Sequence, residues 1–129
     1  MTWIIICNPK FYDVKRAFDT LETIDWRQNR NIKPSDTVYI YCGNPIKEIL
    51  YKCTVLESDM ESSNFSDADC FLSKDLKPCN RYMRLKLDKK FSEGRFPLEK
   101  LKANGLKSVQ WATQASEELI EFLESNENE

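Results

Sequence analysis

Residues 25–41 read Asp25-Trp26-Arg27-Gln28-Asn29-Arg30-Asn31-Ile32-Lys33-Pro34-Ser35-Asp36-Thr37-Val38-Tyr39-Ile40-Tyr41, a polar and basic segment joined to an apolar and aromatic one. The apolar run starts abruptly after Pro34-Ser35-Asp36, which is typical of a strand. The segment before it carries one tryptophan among polar and basic side chains. Because loops held by a rigid strand often carry binding residues, this stretch predicts a binding loop at the edge of a sheet.

The composition is that of a soluble globular protein, with 129 residues, 41% of them hydrophobic and 31% charged. We expect a single domain over residues 1–124, followed by an acidic, frayed tail over residues 125–129. The apolar run over residues 3–7 is too short to cross a bilayer and has neither a basic leader nor a cleavage site. We therefore expect a cytoplasmic protein without a membrane partner.

The cysteine and histidine content argues against most catalytic chemistry. The five cysteines are an odd number, and none forms a Cys-x-x-Cys pair, so we expect them to be reduced. The chain has no histidine, which removes Ser-His-Asp and Cys-His chemistry and the commonest zinc ligand. We predict a protein that is not an enzyme, with no catalytic residue, no metal site and no cofactor, although carboxylate-based chemistry stays open.

The charged residues are unevenly distributed although the formal net charge is only −2. Basic residues predominate in residues 81–107, and acidic residues predominate in residues 57–75 and at the C-terminal end. Such a dipolar molecule can steer a nucleic acid to one face. A solvated surface with interspersed charge explains the distribution equally well, and both readings stay open.

Periodicity predicts strands at residues 2–7, 37–42, 48–60 and 82–87, with shorter extended pieces at 70–72 and 108–111. Helices are predicted from residue 14, from residue 96 and from residue 115, because apolar side chains there recur at helical spacing. Runs of strands with helices at the ends indicate an α+β fold whose strands curl into a partial barrel.

Residues 1–12, the Trp26-Arg27-Gln28 segment, the strand over residues 33–41 and Pro97-Leu-Glu-Lys-Leu-Lys102 together resemble the EVE family of the PUA-like superfamily, which includes YTH domains. A glycine is more usual where this chain has Ser35. The resemblance implies an α+β, PUA-like pseudo-barrel of about five to six mainly antiparallel strands with flanking helices. It also implies a non-catalytic module that binds a modified base, methylated for example, flipped into an aromatic pocket.

The partner that the resemblance implies is modified DNA in a restriction or defence context, or alternatively RNA. A nuclease or another effector protein often accompanies such domains. Two rivals come from other classes: a protein-interaction module that uses the acidic surfaces, and a small enzyme that acts on modified nucleosides through carboxylates.

The site residues follow in part from the resemblance and in part from side-chain chemistry. By position, Trp26 resembles the first cage aromatic of YTH domains, and Phe65 or Trp111 would supply the second wall. A core position at the barrel mouth is the alternative for Trp26, and Tyr41 can face either the core or the pocket. Groups suited to a base edge are Arg27, Gln28, Asn29, Asn44 and the backbone at Tyr41, Cys42 and Gly43. Cations suited to phosphates are Arg30, Lys33, Arg81 and Arg84.

Overall fold

The computed structural model describes residues 1–8, 14–20, 22–28, 30–60 and 81–127. In chain order the elements are β1 (Thr2–Cys7), α1 (Val14–Thr20), β2 (Thr23–Arg27), β3 (Thr37–Cys42), β4 (Glu48–Met60), β5 (Tyr82–Lys90), α2 (Leu98–Ala103), β6 (Thr113–Gln114) and α3 (Glu117–Asn126). The six strands of this described part form one sheet in the order β2-β5-β4-β3-β1-β6.

The strand pairing is antiparallel except between β1 and β3, which run parallel from Thr2↔Thr37 to Cys7↔Cys42. The register shifts once between β3 and β4 and three times between β4 and β5. Such bulges bend a strand and increase its twist, so they allow the sheet to curl into a pseudo-barrel.

Strict alternation along β3 divides the hydrophobic core between the two faces of the sheet. Val38, Ile40 and Cys42 belong to a first cluster, which also contains Val14 and Phe18 of α1. Tyr39 and Tyr41 belong to a second cluster, which includes Leu101 of α2 and Leu119 and Leu123 of α3. The apolar face of each helix therefore covers one side of the sheet.

The predicted α+β fold with mainly antiparallel strands is confirmed, and β1, β3 and β4 have the predicted bounds. The placement of Trp26 in a loop is wrong, because Thr23–Arg27 pairs with β5 as the edge strand β2. An extended piece was predicted at residues 108–111, but residues 109–111 form a bend and the short strand follows at Thr113–Gln114. The strand predicted at residues 70–72 lies outside the described residues. None of the described helices has the length and apolar character needed to cross a membrane.

The C-terminal helix is longer than the sequence predicted. We expected fraying from residue 125, yet α3 continues to Asn126. The carboxylate of Glu127 then accepts hydrogen bonds from Lys52 and from the Tyr39 hydroxyl. The acidic composition suggested a solvated tail because it gave no sign of the basic side chains that this segment contacts.

The turn before β3 contains Ser35, at the position where a glycine is more usual in the EVE family. This residue adopts a φ of 73°, in the left-handed region that glycine tolerates best. Its backbone N–H donates to the carbonyl of Val55 at 2.8 Å. The conformation is thus fixed by the pairing of the turn with β4.

Candidate nucleic-acid interface

A cleft of about 320 Å³ opens beside β2. Its lining comprises residues of β1, β2 and β5, the segment after β2 and the bend before β6: Ile5, Ile6, Trp26, Arg27, Arg30, Ile32, Met83, Gln110, Trp111 and Ala112. Small-molecule sites generally occupy about 300–1,000 Å³, so the cleft is at the small end of that range.

The cleft lies where the two ends of the strand order approach each other. Strand β2 is the first strand of the sheet, and β1 and β6 are the last two. The guanidinium Nε of Arg30 donates to the backbone carbonyl of Ala112 at 3.0 Å, which connects the segment after β2 to the segment before β6. Curling of the sheet therefore creates the site, because no pair of adjacent strands contains both walls.

The lining combines apolar surfaces with a polar rim. Ile5, Ile32 and Met83 are buried and form the floor. Trp26 packs against the first core cluster and is half-buried, whereas Trp111 is 65% exposed. The side chains of Arg27, Arg30 and Gln110 supply hydrogen-bond donors, and Gln110 also supplies an acceptor.

Four of the predicted site residues come together at this cleft, namely Trp26, Arg27, Arg30 and Trp111. The two tryptophans lie 85 positions apart in the sequence, and the fold brings them to one opening. The remaining lining residues were not predicted. Ile5, Ile32 and Met83 look like ordinary core residues in the sequence, and only the curvature of the sheet places them beneath the opening.

The structure does not place Gln28, Tyr41 or Cys42 in the cleft. Gln28 is buried, and its side-chain amide donates to the carbonyls of Arg30 and Ile32 and accepts from the backbone N–H of Asp59. The side chains of Tyr41 and Cys42 are buried in the two core clusters. The side chains of these three residues are therefore buried within the protein and do not line the cleft.

The backbone groups predicted near the end of β3 are also elsewhere. The N–H of Gly43 donates to the carbonyl of Cys7 at 2.9 Å, and Asn44 is exposed in the turn outside the cleft lining. Asn29 and Phe65 lie outside the described residues. Among the described aromatic residues, Trp111 is thus the side chain that faces the same opening as Trp26.

Two of the predicted phosphate-binding cations are engaged in ion pairs. Arg84 contacts the buried carboxylate of Asp25 at 2.9 Å, and the hydrogen bond and charge of Asp25 raise the pKa of Arg84. Arg81 pairs with Asp59 and donates to the Asn31 side chain at 2.9 Å. Lys33 is exposed but does not line the cleft. Arg27 and Arg30 are the cations that line the opening.

No group of three or more potential metal ligands among histidine, cysteine, aspartate and glutamate occurs within the described ranges. The described cysteines, Cys7, Cys42 and Cys53, are buried in the core. Burial, together with the nearby charge of Asp88, raises the pKa of the Cys53 thiol. A thiol of this kind is a poor nucleophile because its thiolate form is disfavoured.

No protein-family model and no curated protein matches the chain. Solved structures do match: that of an ASCH protein from Zymomonas mobilis has a TM-score of 0.68 at 16% identity, over 96% of this chain and 94% of that one. The chain has the fold of that ASCH protein.

A crystal structure of a Pseudomonas putida protein is also similar, with a TM-score of 0.63 at 17% identity over 98% of this chain and 99% of that one. An NMR structure of a Rhodopseudomonas palustris protein has a TM-score of 0.61 at 13% identity, over 98% of this chain and 92% of that one. The predicted PUA-like pseudo-barrel is confirmed as the fold. One of these structures is of an ASCH protein, and a specific membership of the EVE family stays a prediction.

Proposed function

We propose that the chain is a non-catalytic nucleic-acid-binding module that takes one extruded base into the cleft between Trp26 and Trp111. The observation that carries the proposal is the convergence of two indoles, an apolar floor and two arginines at one opening. A nucleobase has two apolar π faces and a polar edge, and its backbone is anionic. The lining offers a partner for each of these features.

The energetics favour two walls over one. Stacking on an aromatic side chain contributes about 1–3 kcal/mol per base, and extrusion of a base from a duplex costs a few kcal/mol. One wall would roughly balance that cost, whereas a second wall yields net binding. The half-buried Trp26 and the exposed Trp111 should therefore contribute comparable stacking free energy to binding.

The finer part of the proposal concerns the base itself. Burial of one methyl group adds only about 0.8 kcal/mol, so discrimination of a methylated base requires a closely fitting slot. The small volume of the cleft and its buried floor support such a slot. We propose a modified base in DNA, with RNA as the alternative, and an effector protein such as a nuclease as the partner of the module.

The experiment uses fluorescence anisotropy with matched single-stranded DNA and RNA oligonucleotides, each with and without one methylated base. Trp111→Ala is the primary variant, because a side chain that is 65% exposed can be removed without a cavity in the core. Loss of one stacking wall predicts about 1–3 kcal/mol weaker binding, a roughly 5- to 150-fold higher Kd.

Leu56→Ala serves as the matched control, since Leu56 is an exposed apolar residue of β4 outside the cleft lining. Trp26→Phe tests the second wall while it preserves an aromatic ring against the core. Unchanged affinity in both tryptophan variants would reject the proposal. Equal affinity for methylated and unmethylated oligonucleotides would reject its finer part only.

A further inference from the structure

A second cluster of polar side chains lies on the sheet face opposite to the cleft floor. Strand register places Tyr39, Lys52 and Lys89 side by side on β3, β4 and β5, with the pairs Tyr39↔Lys52 and Lys52↔Lys89. Tyr39 belongs to the second core cluster, whereas Ile5, Ile32 and Met83 of the cleft belong to the first. The cluster is therefore separate from the proposed base site.

The cluster converges on one carboxylate. Lys52 Nζ contacts the two carboxylate oxygens of Glu127 at 3.0 and 3.1 Å, Lys89 Nζ contacts one of them at 3.4 Å, and the Tyr39 hydroxyl donates at 3.0 Å. Arg95 Nη1 donates to the backbone carbonyl of the same glutamate at 3.5 Å. Two lysines and a hydroxyl thus contact a single negative charge, and a third cation, Arg95, contacts the backbone of the same residue.

Strand pairing fixes the backbone positions of Tyr39, Lys52 and Lys89 side by side, and Arg95 lies in the bend after β5. Tyr39 is 1% exposed, so its hydroxyl is a buried polar group that points at the carboxylate. Lys52 lies over the Tyr39 ring, with Nζ 5.7 Å from the ring centroid. A preformed arrangement of this kind favours recognition of an anion over a flexible surface contact.

Glu127, by contrast, lies just beyond the last residue of α3. The helix ends at Asn126, and the buried side chains that anchor it, Leu119 and Leu123, lie one or more turns earlier. Displacement of Glu127 therefore requires no unwinding of α3. Burial opposes ionisation of this carboxylate, but hydrogen bonds from Lys52 and Tyr39 and the charge of Lys89 hold its pKa below the usual value.

We propose that Tyr39, Lys52, Lys89 and Arg95 form an oxyanion-binding site for a phosphate group, and that the Glu127 carboxylate occupies it as an internal competitor. The two carboxylate oxygens stand in for two oxygens of the phosphate. A phosphate carries more charge and more acceptor oxygens than a carboxylate, which suits a site with three cations. A tethered competitor acts at millimolar effective concentration, so the intact chain binds the ligand weakly.

The test compares wild type with Glu127→Ala, with inorganic phosphate as the probe. Melting temperature is measured in phosphate and in chloride at matched ionic strength, and the Kd for phosphate is measured by calorimetry. We expect Glu127→Ala to bind phosphate about tenfold or more tightly than wild type, with a rise in melting temperature that saturates. Glu121→Ala is the control, because Glu121 is an exposed carboxylate on the same helix.

Two further variants distinguish a site from a general charge effect. Addition of Lys52→Met to Glu127→Ala should abolish the phosphate response, and addition of Trp111→Ala should leave it unchanged. A purely structural role for Glu127 gives a lower melting temperature in Glu127→Ala with no phosphate-specific rise, and that result would overturn the proposal. A response that survives Lys52→Met would overturn it as well.

Discussion

The indole Nε1 of Trp3 donates a buried hydrogen bond of 3.0 Å to Oδ2 of Asp36. The same oxygen accepts the backbone N–H of Lys33 at 2.9 Å. Asp36 thereby fixes the turn before β3 to the neighbouring parallel strand β1. Burial opposes ionisation of Asp36, but the hydrogen bonds that it accepts hold its pKa below the usual value.

Removal of this carboxylate should destabilise the fold. Asp36→Ala leaves the Trp3 and Lys33 donors without their acceptor, and we expect a loss of about 2–3 kcal/mol in the free energy of unfolding, measured with urea. Asp19→Ala is the control, because Asp19 forms an exposed ion pair with Lys90. That pair should contribute less than about 1 kcal/mol. A loss for Asp36→Ala no larger than for the control would contradict the assigned role.

The contribution of Asp36 should depend on pH with a defined sign. Its folded pKa lies below the unfolded value of about 3.9, so the stabilisation is fully present above that value. As the pH falls through the folded pKa, the carboxylate is protonated in both states and the stabilisation disappears. Unfolding curves of wild type and Asp36→Ala should therefore converge in acid. A stability difference that grows below about pH 4 would have the wrong sign.

Replacement of Ser35 by glycine should stabilise the protein. Left-handed backbone costs a residue with a Cβ about 1–2 kcal/mol, and the greater unfolded-state entropy of glycine offsets part of this gain. Since Ser35 has a φ of 73°, we expect a net gain of about 0.5–1 kcal/mol by thermal unfolding. Ser92→Gly is the control, because Ser92 is exposed and has no positive φ. It should destabilise or have no effect.

Alanine substitutions at Gly105 and Gly94 should distinguish the cost of backbone strain from the cost of steric overlap. Both have positive φ, 107° and 88°, but a Cβ on Gly105 would lie 2.8 Å from Ser116 Oγ, whereas a Cβ on Gly94 meets nothing within 4 Å. Ser116 caps α3 by accepting the N–H of Leu119. Gly94→Ala should cost about 1–2 kcal/mol, and Gly105→Ala should cost more because it also disturbs the cap. Equal losses in chemical denaturation would exclude the steric contribution.

The salt dependence of nucleic-acid binding should show whether the arginines of the cleft contact phosphates. Each phosphate contact to a single strand contributes about −0.7 to the slope of log K against log salt concentration. Arg30→Gln should reduce the slope by about that amount and weaken binding to all sequences alike. Lys102→Gln is the control, since Lys102 is exposed on α2 away from the cleft. Parallel slopes for wild type and Arg30→Gln would show that Arg30 contacts no phosphate.

Most of the strands could be predicted because their patterns are local. The bounds of β3 and β4 follow from abrupt changes of hydrophobicity at Asp36 and around the turn at Gly43. Strand β2 was missed because Thr23–Arg27 is short and polar, and because its only partner in the described sheet, β5, lies far along the chain. The local strand propensity of a segment contains no information about such non-local pairing.

The site was predictable only in part, for a related reason. The polar neighbours of Trp26 and Trp111 marked them as unusual, and the fold does bring both to one cleft. Gln28 was misplaced because an amide that binds backbone has the same sequence signature as one that binds a base. The contacts of Glu127 escaped notice because they depend on three strands in register.

The cleft lies between opposite edges of one curled sheet, so the width of the cleft depends on the curvature of the sheet. Its width depends on how tightly β4 coils, and the coiling is set by bulges near Cys53, Glu57 and Met60, none of which lines the opening. A substitution that moves one bulge would change the gap between the two indoles without altering either of them. Substitutions at the bulges of β4 can therefore change the size of ligand that the cleft accepts, while the residues that line the cleft stay the same.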